Sequence, residues 1–80
     1  GLALDAARCG GAAPVILNAA NEAAVAAFLD AEVPFPAISG IIDAVLNGYS
    51  AAEPADLEQI LAVDARAREI AAETIDRFRF

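Results

Sequence analysis

A chain of 80 residues has room for one domain, and a domain near that size buries only about 60% of the surface its unfolded form exposes. Its net charge is −7, with five arginines and no lysine, which excludes the clustered cations that track nucleic acid or anionic membranes. No apolar run nears the ~20 residues that span a bilayer. Hydrophobic residues make up 59%, alanine fills 22 positions and aromatics only 6%. That balance suits helices packed closely through small side chains and predicts an all-α fold, a small bundle of three to four helices occupying residues 1–80 as one domain.

In chain order, Leu and Ala over residues 2–9 have helical spacing, and Gly10 and Gly11 end that segment as a C-cap pair. Residues 12–17 read as a short extended link in which Pro14 bars an earlier helix start. A second helix is then expected over residues 18–31. Asn18 suits its N-cap, Leu17 staples onto the first turn, Glu22 meets the positive end of the dipole, and Val25, Phe28 and Leu29 form the heavy face. Pro34 and Pro36 stiffen the next connection and leave Phe35 as a plug for the core at that corner. Residues 36–47 carry the plainest helical stripe, Ile38, Ile41, Ile42, Val45 and Leu46. Asn47 and Gly48 stop it, and a loop with Tyr49 as its one large side chain leads to Pro54.

The rest reads as helix to the end. Leu57, Ile60 and Leu61 form one short stripe, and Ala67, Ile70, Ala71, Thr74, Ile75 and Phe78 form another whose phase differs. The last helix is therefore expected to be long or broken near Asp64, with Asp64 a candidate cap and Arg68 its ion partner. Glu53, Asp56 and Glu58 read as start signals for that helix rather than metal ligands. Arg66, Arg77 and Arg79 lie among Glu69, Glu73 and Asp76 as a solvated mixed face.

Catalytic constellations are missing: the chain has no histidine, no lysine, no glycine-rich phosphate loop after a strand and no Gly-x-Ser-x-Gly. No residue is assigned a catalytic, cofactor-binding or metal-binding role. The candidate site is the polar cluster Asn18, Asn21 and Glu22, which serves either to cap a helix or to contact a neighbouring domain. Cys9 has no second cysteine and no histidine to activate it, so it reads as an inert packed thiol in a reducing, cytoplasmic setting. No basic segment precedes an apolar one as in a signal peptide. A chain that starts at Gly1 and holds no methionine reads as a fragment.

The string Leu17-Asn18-Ala19-Ala20-Asn21-Glu22, followed by Ala-Val and by Phe28-Leu29, resembles a signature of the 1-deoxy-D-xylulose-5-phosphate reductoisomerase family. Downstream, Phe35, Ile38, Val45, the run from Leu57 to Leu61 and the run from Asp64 to Glu69 agree in order and spacing. The resemblance implies a C-terminal helical domain that supports a catalytic domain of the same polypeptide. It implies an NADPH-dependent oxidoreductase of non-mevalonate isoprenoid synthesis that uses a divalent metal, Mg or Mn. It also implies that cofactor, metal and substrate residues precede this segment, so the fragment alone would be inactive. The rival readings are a small acidic adaptor, a self-associating module, or a carrier. A phosphopantetheine carrier needs Asp before its Ser, whereas Ser39 follows Ile38 and Ser50 follows Tyr49.

Overall fold

The structure, a computed structural model, describes residues 11–80. Three helices account for their regular structure: α1 (Ala13–Leu29), α2 (Ala37–Gly48) and α3 (Leu57–Phe78), with no strand among the described residues. Each helix packs on the other two. The tight connection at residues 30–36 sets α1 against α2, and Phe28 meets Phe35 edge to face at 5.5 Å between ring centroids. The ion pairs Glu22–Arg68 and Glu32–Arg79 join early to early and late to late residues, so α1 and α3 run in the same direction. The helix expected over residues 2–9 lies outside the described residues, and so does Gly10.

α1 starts five residues before the expected cap. Pro14 sits in its first turn rather than in an extended link, where its fixed φ suits a helix and its missing N–H would have no helical partner. Asn18 is therefore an interior helical residue and caps nothing, and Leu17 is half-buried against the core rather than a staple. The helix ends at Leu29, two residues earlier than expected. Ala31 takes a left-handed φ of 60° and donates to Phe28 O, while the Glu32 N–H reaches back to Ala27 O at 2.9 Å. This pair of bonds is a Schellman closure, with alanine where glycine is usual.

The buried face of α1 also departs from expectation. It consists of Ile16, Ala19, Ala20, Ala24 and Ala27, whereas Leu29 is 74% exposed. Val25 and Phe28 are only half-buried. Size misled the reading: the heavy residues stand out in the sequence, but alanines let another helix approach more closely. α3 supplies Ala67 and Ala71 to the same core, both fully buried. Phe35 is exposed at 68% and lies against Phe28 at the corner without entering the core; Val33 is the residue buried there.

α2 follows its sequence pattern, with Ile41, Ile42 and Val45 buried and Ile38 and Leu46 packed at the margin. Tyr49 ends it in an extended conformation and lies half-buried against the core. Where α2 crosses α3, Gly40 leaves room for the Phe78 ring: an added Cβ would come within 2.9 Å of it.

α3 is the long alternative, 22 residues without a break at Asp64. Its N-cap is Asp56, whose carboxylate accepts from the Gln59 N–H at 2.9 Å, while Gln59 Oε1 accepts from the Ala55 N–H at 2.8 Å. Asp64 thus lies inside the helix rather than at its start. The apparent change of phase has a simple cause: the buried residues of α3 begin only at Val63, and Leu57, Ile60 and Leu61 on the first turns are exposed. The buried hydroxyl of Thr74 is satisfied by donating to Ile70 O at 2.8 Å.

Candidate functional site

α1 contains three polar residues, Asn18, Asn21 and Glu22, and all three are exposed. Their spacing of three and four residues puts them on one stripe of the helix, opposite the alanine face that fixes α1 to the bundle. The stripe runs on to half-buried Val25 and exposed Leu29. Position is thus set by packing, since the cluster stands outward because its alanine neighbours are turned inward.

Only Glu22 of the three makes a side-chain hydrogen bond among the described residues. It accepts from Arg68 Nη2 at 2.6 Å, across 46 positions of sequence. The Arg68 Nε donates to Asp64 at 2.8 Å, so one guanidinium holds a carboxylate from its own helix and one from α1. The Asp64 hydrogen bond first, and the Glu22 hydrogen bond next, raise the Arg68 pKa above its ordinary value. Arg68 stays cationic at any ordinary pH in any case, so the arrangement orients charge rather than titrating it. With side chains 43% and 56% exposed, the Arg68–Glu22 pair contributes about 0.2–1 kcal/mol. Asn18 and Asn21 remain as outward amides beside this clamp.

The sequence brought Asp64 and Arg68 together correctly but gave no sign of Glu22 as a partner of Arg68. Helical spacing reports pairs within a helix, and this pair depends on how two helices dock. The same limit hid Arg79–Glu32, 2.6 Å apart, although Arg79 also lies 3.4 Å from Asp76 as a local pair.

A shallow groove of about 400 Å³ lies between the C-terminal halves of α1 and α3. Its floor includes Ala23 and Ala27 and its rim carries Asp30, Glu32, Glu73 and Asp76. Among the described residues, Arg79 is the groove's one cation and is engaged by Glu32 and Asp76. An acidic rim of this kind opposes a phosphorylated ligand. Among the described residues, no three His, Cys, Asp or Glu side chains gather closely enough to hold a metal ion.

The chain matches a family profile described as DXP reductoisomerase C-terminal domain over residues 1–70. It is 51% identical over 79 residues to a 1-deoxy-D-xylulose 5-phosphate reductoisomerase of Dechloromonas aromatica, covering 99% of this chain and 20% of that protein. It is 53% identical over 74 residues to the enzyme of the same name in Burkholderia lata, covering 92% of this chain and 19% of that protein. Among solved structures, that of the Zymomonas mobilis 1-deoxy-D-xylulose 5-phosphate reductoisomerase in complex with NADPH superimposes with a TM-score of 0.92 at 44% identity. That match covers 94% of this chain and 20% of the other. The chain therefore spans about one fifth of the length of these relatives.

Proposed function

The chain belongs to the DXP reductoisomerase family as its C-terminal domain, and we propose that it is the helical support of a longer polypeptide with that activity. The polypeptide would rearrange 1-deoxy-D-xylulose 5-phosphate and reduce it with NADPH to 2-C-methyl-D-erythritol 4-phosphate, with a requirement for a divalent metal, Mg or Mn. NADPH is named for the Zymomonas mobilis relative. The metal is supported by family membership alone. Neither group fits the residues described here: no carboxylate cluster suits a metal, and the acidic groove disfavours a dinucleotide phosphate. No chemical step is assigned to them.

Their proposed work is mechanical. Alanine packing fixes α1 to α3, the Glu22–Arg68–Asp64 clamp orients charge at the surface, and Asn18 and Asn21 offer donors and acceptors toward the catalytic part of the same polypeptide. The observation that supports this most is the family match, which runs through the stripe carrying all three polar residues of α1. The proposed setting is the cytoplasm, in keeping with a single cysteine and no disulfide partner. No described helix is long and apolar enough to cross a membrane.

The test is an assay of the intact polypeptide, with and without residues 1–80, following NADPH oxidation that depends on both 1-deoxy-D-xylulose 5-phosphate and a divalent metal. Activity that falls on deletion supports both the reaction and the supporting role. An inactive intact polypeptide overturns the reaction, and undiminished activity after deletion overturns the support.

A further inference from the structure

The asparagines of the chain, Asn18, Asn21 and Asn47, are all exposed, so contact with water does not distinguish them. The residues that follow them do: Ala19, Glu22 and Gly48. An asparagine amide is lost when the backbone nitrogen of the next residue attacks the side-chain carbonyl carbon, and a Cβ on that next residue obstructs the attack. Gly48 has no Cβ, and the place one would occupy has no atom within 4 Å. The approach is open at Asn47 alone.

A helical backbone opposes the same attack, because each N–H is bonded four residues back and its nitrogen is held away from the side chain that would react. Asn18 and Asn21 lie well inside α1, whereas Asn47 and Gly48 are the last two residues of α2. That end is weakly closed. Past Gly48 a single bond continues the ladder, from the Tyr49 N–H to Val45 O at 3.0 Å, and the chain then turns extended. No basic side chain stands in the last turn to hold the final carbonyls. α1, by contrast, closes through left-handed Ala31 and the backbone bonds to Phe28 O and Ala27 O. Helix ends open at little cost, while a packed interior opens only with much of the fold. The Gly48 nitrogen is thus both unobstructed and released without unfolding the bundle.

We propose that Asn47 is a site of spontaneous modification, converted through a cyclic imide to aspartate and isoaspartate. The Gly48 nitrogen gives its proton to water and bonds to Asn47 Cγ; the Cγ–Nδ2 bond breaks, and the amide nitrogen takes up a proton and leaves as ammonia. Water then opens the imide at either carbonyl, with no change of oxidation state. Both products work against the end of α2. Each adds a negative charge to a chain already at −7, at the end of a helix where the dipole is itself negative. Isoaspartate also lengthens the backbone between Val45 and Tyr49 by a methylene, which draws the Tyr49 N–H off Val45 O and loosens the half-buried Tyr49 ring from the core. The inference is independent of the catalytic reading, since it concerns the chemistry of one peptide bond.

Peptide mapping by mass spectrometry tests it, on the intact polypeptide incubated at mildly alkaline pH in water enriched in heavy oxygen. Label is expected at Asn47 at least about tenfold faster than at Asn18 or Asn21. Gly48→Ala places the missing Cβ in open space on a helical backbone, so it keeps the fold. It should slow the conversion by about fourfold or more, fourfold being what the better helix propensity of alanine supplies by itself. Converted protein, separated by ion exchange, should show faster amide exchange at residues 46–50 and unchanged exchange at residues 13–29. Labelling of Asn47 no faster than that of Asn18 and Asn21 overturns the proposal, as does an unchanged rate in Gly48→Ala. Identical exchange at residues 46–50 before and after conversion overturns the effect on the helix end, and faster exchange at residues 13–29 overturns its confinement to that end.

Discussion

α1 and α3 lie side by side and run the same way, and both give alanines to one core, yet their outer faces have opposite characters. α1 carries one charged residue, Glu22, along its whole length. α3 alternates Asp64, Arg66, Arg68, Glu69, Glu73, Asp76 and Arg77 around its exposed side. A helix that is apolar around most of its circumference suits cover on both sides, whereas a charged outer face is settled in water. The two helices share a seam but differ outside it: α3 has a charged, solvated back, whereas the outer stripe of α1 carries Asn18, Asn21 and Glu22 among apolar residues.

The largest expected effect comes from filling the seam. Ala27 is buried and lines the groove between α1 and α3, and Ala27→Leu forces extra volume between helices already in contact, at a cost of about 1–3 kcal/mol. Ala65→Leu on the exposed back of α3 should change stability by less than about 0.5 kcal/mol. Thermal unfolding distinguishes them, because each kcal/mol moves the midpoint by about 4–8 °C in a domain of this size. Equal losses at the two sites would remove the seam as the basis of the comparison.

Next in size is the start of α3. α1 opens with no side-chain cap and relies on Pro14, while α3 relies on the Asp56 carboxylate. Asp56→Ala is expected to destabilise by about 1 kcal/mol. Loss of amide protection at residues 57–60 in hydrogen exchange, with α1 unaffected, is the confirming pattern. A smaller term links the helices: a double-mutant cycle with Glu22→Gln and Arg68→Met should give a coupling of about 0.2–1 kcal/mol that shrinks with added salt. Zero coupling at low salt would show that the alanine seam alone aligns α1 with α3.

What the sequence showed and hid follows from the same contrast. α2 was legible because Ile41, Ile42 and Val45 are large, apolar and periodic, so the residues that stand out are the residues that bury. α1 was misread because its inner face is Ala19, Ala20, Ala24 and Ala27, and an alanine gives no sign of which way it points. The misplaced start had a similar origin, for Asn18 and Pro14 each fit two positions in a helix, and only the docked neighbours choose between them. At the candidate site, Asn18, Asn21 and Glu22 were identified as a group, but Arg68 was not joined to them. A bond across 46 positions is a property of the packing rather than of any local pattern.

Asn18 yields the smallest effect and the sharpest distinction. At an N-cap, replacement by alanine would cost about 1 kcal/mol. Inside a helix and exposed, as here, Asn18→Ala exchanges a weak helix former for the best one and should stabilise by a few tenths of a kcal/mol. Denaturant unfolding of the variant reads the sign directly, and a loss would restore Asn18 as a cap and move the start of α1. If stability rises while the activity of the intact polypeptide falls, the amide has a partner beyond the bundle, because a residue that the domain itself does without can affect turnover only through what it touches outside it.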